Sequence, residues 1–475
     1  MKKWHWVLCF TIIILSSIVI RLGMITRTPW EWDEPVYTQI AQGVQDVGYP
    51  SIRADTIDQR TPYLYHPPFH FLLLSGWYRL LGDSTILSGR LLSAAIGVTV
   101  VIVAMLMVYA MTRNLTTTAI TGALLGIDGW FTYSSSLVKL DTAAVLLGLL
   151  GLWCFHLALT RKQWRWVILT GLFIGGATIY KHIGVIFLVV IGVHWLLTRQ
   201  QHIRHALILL TSVIVIGVYV GGMYASWGDT YLRQSTNQLN RSTGTSTSRG
   251  LNYGMNEAIT ALYNTYWGFA GSILSIVVGV GAALYALTRR RREGWPTILV
   301  SWCLTAAVCL GLLKLRNPHY LVFLIVPAVC MVAVSLEHGL RAVSTRVFRV
   351  SRFALVAFAG LHLMTLSLRA IFFDRTNTLY KTQQFIVTSI DNSATVLSEE
   401  PICVLIPNPC FRFGVNSTEA RVRRANPQYV VTYTSTTQGP PQTSAIQNLI
   451  NRGASVYAIK GWKENIVVLQ ISDAQ

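Results

Sequence analysis

Charge is what this sequence is shortest of. Asp, Glu, Lys and Arg make up 12% of 475 residues, against about 25% in soluble globular chains. Acid is scarcer still: 20 Asp and Glu face 39 Lys and Arg, for a net charge of +19. So little charge over such a length excludes an ordinary soluble enzyme and points to lipid as the main solvent. The excess of base suggests nucleic acid at first sight. The basic residues, however, sit between apolar runs and not on one soluble face. Membrane topology and anionic lipid explain that pattern, and nucleic acid is not an expected partner. Cysteine is sparse too: there are 7, none at metal-site spacing. Cys9, Cys154, Cys303, Cys309 and Cys330 fall in apolar runs, as packing residues do. Cys403 and Cys410 fall in the tail, where an oxidising exterior would let them pair; two free, buried thiols are the other reading. No small-x-small cleavage site follows the first apolar run. Arg27-Thr28-Pro29-Trp30 stands there instead, so an uncleaved first helix is expected.

What is present is hydrophobic: 52% of residues, with a mean hydropathy of +0.46. Several apolar runs approach or reach the roughly 17–25 residues that cross a hydrocarbon core. Loops rich in Lys and Arg stay cytoplasmic. Lys2-Lys3, Arg161-Lys162 with Arg165, Arg199 to His205, Arg289 to Arg292 and Arg341 to Arg352 are such loops, and Arg113 marks a weaker one. Placing them all on one side gives about eleven spans, near 4–25, 86–111, 117–135, 141–160, 165–180, 183–198, 205–226, 260–288, 295–314, 319–337 and 352–372. The expected fold class is an all-α polytopic membrane protein of the plasma membrane. Its N-terminus is cytoplasmic and its C-terminal domain extracytoplasmic.

A first outside loop near 26–85, a central loop near 227–259 and the tail are then extracytoplasmic. In the first loop Val36, Tyr37, Ile40, Ala41, Val44 and Val47 repeat at helical spacing, and Phe69 to Leu81 forms a second surface helix opened by Pro67-Pro68. The central loop, rich in Ser, Thr, Asn and Gly from Ser235 to Gly254, reads as mobile. The tail changes composition. Short β-rich runs at Ala394–Leu397, Cys403–Ile406, Tyr429–Thr432, Ser455–Ile459 and Ile466–Ile471, with a helical stretch at Ser444–Asn451, predict a small α/β domain. The chain thus divides into a transmembrane domain over 1–373, both outside loops included, and an α/β domain over 374–475.

The chemistry-bearing residues fall on the predicted outer side. The first loop opens with Trp30-Glu31-Trp32-Asp33-Glu34-Pro35. One reading of these residues is an interfacial aromatic belt with solvated acids. Tyr65-His66-Pro67-Pro68-Phe69 follows. His66 is either a helix-entry residue or, with His70 four positions on, a candidate metal ligand lacking a third partner. Lys139, Lys181, Arg316 and His319 fall at predicted outer ends of spans. Each alone reads as a snorkelling interface residue, but together they could neutralise a lipid phosphate. Asp141 could pair with one of these cations.

An acidic pair after the first span, a His-Pro-Pro start to a second surface helix, and Gly89-Arg90-Leu91-Leu92-Ser93-Ala94 opening the next span resemble the GT-C glycosyltransferases. Within them the chain is most similar to the protein O-mannosyltransferase and aminoarabinose-transferase branch. Lys139-Leu140-Asp141, Gly175 to Lys181, and Lys314, Arg316, His319, Tyr320 and Pro327 extend the resemblance over roughly residues 1–330. It implies a GT-C fold and a membrane glycosyltransferase. Such an enzyme moves a sugar, with inversion, from a polyprenyl- or dolichyl-phosphate donor to a hydroxyl or amine of a protein, lipid or glycan acceptor. Asp33 is then the base and Glu34 its support, with Lys139, Lys181, Arg316, His319 and Tyr320 on the donor phosphate and His66 and Asp141 supporting the pocket. No metal is expected to be obligatory, although a divalent ion is used in one branch. A secondary transporter or a flippase is the alternative. Against a transporter, no repeat relates the two halves and the charges cluster at one face.

Overall fold

The computed structural model describes residues 3–28, 30–31, 33–53, 60–243, 270–293, 296–312, 318–342, 378–398, 410–412, 427–434, 453–460 and 465–471. Contacts divide the chain into two units. One comprises Met1–Ile25, Leu64–His70 and Arg90–Ile371; the other comprises Thr26–Tyr63, Phe71–Gly89 and Phe372–Gln475.

The first unit is helical. Its elements are α1 (Lys3–Arg27), α4 (Ile86–Thr112), α5 (Leu115–Ile127), α6 (Gly129–Ser134), α7 (Asp141–Arg161), α8 (Trp164–Tyr180), α9 (Ile186–Thr198), α10 (His202–Thr243), α11 (Ala270–Glu293), α12 (Thr297–Leu312) and α13 (Val322–Ala342). Among the described residues, five stretches are long and apolar enough to cross a membrane: Trp4–Thr26, Ile86–Thr112, Asp141–Arg161, His202–Gln238 and His319–His338. Shorter apolar helices lie at Leu115–Ile127, His182–Thr198, Ser272–Thr288 and Thr297–Gly311. The expected span at 352–372 lies outside the described residues, as do Cys403–Ile406 and Ser444–Asn451 of the tail.

Close packing in this unit depends on small residues. Gly171 and Gly175 lie four apart on one face of α8, where α10 crosses. A Cβ on Gly171 would stand 2.5 Å from that of Thr211, and one on Gly175 2.8 Å from that of Val215. In lipid, where apolar burial gives little gain, such backbone proximity is a main source of helix association. Ser212 Oγ adds a hydrogen bond to the Gly171 carbonyl at 3.1 Å. α10 runs well beyond the expected span end near 226. It bends at Gly228 (φ 49°, ψ −129°), a backbone conformation that favours glycine, and its polar continuation is helical to Thr243.

The second unit contains the first-loop elements and the tail. α2 (Asp33–Val47) and α3 (Phe69–Leu81, whose first two residues belong to the first unit) are the two amphipathic helices that the apolar periodicity predicts. Between them β1 (Ser51–Arg53) and β2 (Arg60–Pro62) pair antiparallel, Ile52 opposite Thr61. Tyr37 of α2 meets Phe71 edge-on at 5.6 Å. A hydrogen bond of 3.1 Å joins Thr38 Oγ1 and Tyr78 OH, and Gln45 Nε2 donates to the Ser75 carbonyl at 3.2 Å.

In the tail, α14 (Thr378–Ser389) precedes β3 (Val396–Ser398), β4 (Cys410–Arg412), β5 (Tyr429–Thr434), β6 (Gly453–Lys460) and β7 (Asn465–Ile471). The sheet order is β4-β3-β5-β7-β6. β3 runs parallel to β4 and β5, and β7 runs antiparallel to β5 and β6. Its core takes Ile386 and Ile390 from α14's side, with Val396, Val431, Ile466 and Val468 from the strands. Ile466 and Val468 are two apart and so share one face of β7.

Candidate functional site

The first unit gathers a buried cluster of charge, and its helix order explains why. α7 and α8 are joined by the short turn at Lys162-Gln163, so they run antiparallel and the start of α7 faces the end of α8. Asp141 opens α7 and Lys181 follows the last residue of α8. Their side chains form an ion pair, Nζ to Oδ1 at 2.7 Å, with 7% and 1% of side-chain surface exposed. Lys181 leaves the helix in an extended conformation (φ −152°, ψ 128°). Its carbonyl accepts from the Gly184 N–H at 2.8 Å, closing a tight turn. A Cβ on Gly184 would stand 2.3 Å from the Ala177 carbonyl oxygen, so only glycine fits there.

A 3₁₀ turn at Pro318–Leu321 leads into α13 and carries the next two residues. The Lys181 ammonium lies 4.9 Å from the centroid of the Tyr320 ring. His319 is buried. Its Nδ1 is 3.1 Å from Ser134 Oγ, and its ring stacks on Trp130 at 5.4 Å and on Tyr133 at 6.0 Å. Lys139 is buried as well, and the charges acting on Asp141 are those of Lys181, His319 and Lys139. The structure therefore brings together Lys139, Asp141, Lys181, His319 and Tyr320. Arg316 lies outside the described residues.

The cluster also takes in His70, which the sequence offered only as a metal ligand beside His66. At the start of α3 it hydrogen-bonds through Nδ1 to Tyr180 OH at 2.9 Å. Burial, with the Lys181 charge close by, pushes its imidazole down to about 3, while Asp141 acts in the opposite sense. His70 is thus neutral, a hydrogen-bonding partner and not a cation. His66 is half-buried four residues earlier. Among the described residues, no group of three or more His, Cys, Asp or Glu side chains gathers as metal ligands.

Two buried charges hold the segment that faces His319. Asp128 accepts from the Phe131 N–H at 2.9 Å at the start of α6, and Ser272 Oγ of α11 donates to the same carboxylate at 2.8 Å. Arg21 of α1 donates through Nε to Ser135 Oγ at 2.9 Å and through Nη1 to the Gly126 carbonyl at 3.3 Å. Its guanidinium lies 5.2 Å from the Phe131 ring. Arg21 therefore ties the end of α5 to the end of α6. The sequence did carry a signal for both: each is a lone charge inside an apolar run, and such charges have specific partners.

Asp33 and Glu34 belong to the second unit. Asp33 is the first residue of α2 and is half-buried; Glu34 is buried. Acids in a first helical turn suit the positive end of the helix dipole. The Glu34 N–H donates to the Glu31 carbonyl at 3.1 Å, and the Glu31 N–H donates to Glu34 Oε2 at 2.8 Å. The second bond is the side-chain half of a capping box, with Glu34 reaching back to a backbone N–H, while the first is a backbone turn. Cys410 is disulfide-bonded; Cys403, its expected partner, lies outside the described residues.

Comparison with known proteins gives this geometry a setting. Residues 65–223, roughly a third of the chain, match the family model described as dolichyl-phosphate-mannose-protein mannosyltransferase. No curated protein sequence matches. The chain is similar in structure to ArnT from Cupriavidus metallidurans bound to undecaprenyl phosphate, over 98% of both chains, with a TM-score of 0.69 and 15% identity. It is similar to the Archaeoglobus fulgidus oligosaccharyltransferase tethered with an acceptor peptide, with a TM-score of 0.60 and 14% identity over 91% of this chain and 69% of that one. AglB from the same organism, in complex with an inhibitory peptide and a dolichol-phosphate, gives a TM-score of 0.58 at 13% identity, over 90% of this chain and 69% of that one. At these identities the likeness is one of fold. The chain is thus a multi-pass membrane protein with the fold of the GT-C glycosyltransferases, and its residues 65–223 match the mannosyltransferase family of that superfamily.

Proposed function

We propose that the chain transfers a sugar from a polyprenyl- or dolichyl-phosphate donor to an acceptor hydroxyl or amine. The reaction takes place at the extracytoplasmic face of the plasma membrane. The observation that carries this reading is the buried cluster of Lys139, Lys181 and His319 around Asp141. Burying several basic groups is costly unless an anion meets them, and two proteins of similar fold hold lipid phosphates.

In the reaction, the acceptor's lone pair attacks the anomeric carbon from the face opposite the phosphate, which inverts its configuration. The new carbon–oxygen or carbon–nitrogen bond forms as the carbon–oxygen bond to phosphate breaks. The electron pair leaves with the phosphate. Asp33 takes the acceptor's proton, as a carboxylate base does. Phosphate is a good leaving group and needs no general acid. It needs positive charge where its own develops, which Lys139, Lys181 and Arg316 supply, with His319 as a further donor. Tyr320 lies under Lys181, and Asp141 holds that lysine when no phosphate does. Glu34 fixes the turn that carries Asp33.

The test uses full-length protein in lipid nanodiscs, given mannosyl- and aminoarabinosyl-undecaprenyl phosphate labelled in the sugar, with host envelope extract as acceptor. Label should leave one of the two donors with wild type and not with Asp33→Asn. Failure of wild type to consume either donor would overturn the reading.

A further inference from the structure

Trp30 stands three residues ahead of Asp33, and it is half-buried against protein. Its ring packs on the apolar core of the tail, formed by Ile386, Ile390, Val396, Val431, Ile466 and Val468. It meets Tyr380 of α14 edge-on, with ring centroids 5.2 Å apart and planes at 65°. A ring held on two sides in this way has little freedom to move.

Glu31, next to Trp30, is hydrogen-bonded to Glu34, next to Asp33. The Glu31–Glu34 pair closes the intervening turn from both directions, at 3.1 Å and 2.8 Å. Beyond the turn, α2 is fastened to α3 through Thr38 and Tyr78. The Asp33 carboxylate therefore lies between two anchors: the tail core through Trp30, and α3 through Thr38. A base must reach the proton it removes, and an error of about 1 Å in such a group can cost on the order of 10²-fold in rate.

We infer that Trp30 is a positioning residue for the Asp33 carboxylate, and that the tail's α-helix and sheet serve the transfer reaction by gripping Trp30. This rests on the reading of Asp33 as the base. It gives the tail a role that composition alone does not suggest: a fixed point for the acidic turn.

The experiment compares Trp30→Ala, Trp30→Phe and Tyr380→Ala in the full chain, each with Asp33 intact and with Asp33→Asn. The readout is consumption of whichever labelled donor wild type uses. Trp30→Ala should lower kcat roughly 10- to 100-fold while donor KM stays within about twofold. Trp30→Phe, which keeps an aromatic ring in the tail core, should recover most of the loss. Trp30→Ala should add nothing to Asp33→Asn, because residues acting through one group are not additive. Hydrogen exchange reports without activity. The Glu31 and Glu34 amides should exchange at least about tenfold faster in Trp30→Ala, with the Val431 and Val468 amides of the tail unchanged. If those tail amides also exchange faster in Trp30→Ala, Tyr380→Ala replaces it in every comparison. Unchanged exchange at Glu31 and Glu34, or an equal drop in kcat in the Asp33→Asn background, would overturn the inference and leave the base assignment standing. A fully active Asp33→Asn would overturn the base assignment itself.

Discussion

Lys181 meets an opposite charge and an aromatic face, whereas Asp33 opens a helix beside a hydrogen-bonded turn. In the first unit the buried Lys181 meets the buried Asp141 carboxylate at 2.7 Å and the half-buried Tyr320 ring at 4.9 Å. In the second unit Asp33 opens α2 beside a turn closed by Glu31 and Glu34, and it is half-buried. The difference suits the roles proposed for the two groups. A cation that binds phosphate must wait in a site that excludes water, so it needs a stand-in anion until the ligand arrives. A base, the role proposed for Asp33, must meet an acceptor from outside, and a half-buried place at a helix start suits that role. Changes to charge should therefore matter most in the first unit for binding and in the second for turnover.

The largest effect is expected at Asp33. Asp33→Asn keeps the shape and removes the proposed base, and turnover should fall about 10²–10⁴-fold by steady-state assay. Near-normal turnover would erase the contrast between the two regions.

A smaller but separable effect is expected within the ion pair. Asp141→Asn leaves Lys181 buried without its counter-ion and should destabilise the first unit by about 3–5 kcal/mol in denaturant titration. Replacing both partners, Lys181→Met with Asp141→Leu, should recover most of that stability while donor binding stays lost. If the double variant is as unstable as the single, the pair's role is not electrostatic.

Tyr320→Leu keeps bulk but removes the ring face from Lys181. It should weaken binding of undecaprenyl phosphate by about 0.5–2 kcal/mol, measured by fluorescence titration. An unchanged affinity would leave Asp141 as the sole support of the lysine.

The smallest effect concerns acid. The His70 imidazole is held near 3 in the fold, while an unfolded chain titrates near about 6.5. As pH falls below about 6.5 the unfolded chain binds a proton that the folded chain refuses, so stability drops toward acid and is constant above neutrality. Tm in detergent should fall between about pH 7.5 and about pH 5 by more in wild type than in His70→Gln. Equal falls would show that His70 is not the titrating group.

How much of this was legible depended on whether the signal was local. α2 and α3 could be read because Val36, Tyr37, Ile40, Ala41 and Val44 repeat at one helical face, and because Pro67-Pro68 open the second helix. Lys139, Asp141, Lys181, His319 and Tyr320 could be grouped because alternation of helix direction puts them at the same end. Their partners could not be grouped that way. Arg21 and Ser135 are 114 residues apart, and Ser272 reaches Asp128 across 144; no spacing rule joins them. The helical extension of α10 to Thr243 is polar, so apolar periodicity has nothing to report there. α14 escaped for a related reason: its short apolar face is packed on a sheet whose strands are distant in sequence. In the tail, β5 and β7 were legible as β-branched runs, while their order in the sheet was not.

Binding of undecaprenyl phosphate to wild type, Asp33→Asn and Lys181→Met, measured by titration in nanodiscs, tests the division of labour most directly. Asp33→Asn is expected to bind within about twofold of wild type, and Lys181→Met to bind at least about tenfold more weakly, as loss of a charge-assisted contact requires. Equal affinity for all three proteins, or a loss confined to Asp33→Asn, would contradict the assignment of phosphate to the buried cations and of proton transfer to the acidic turn.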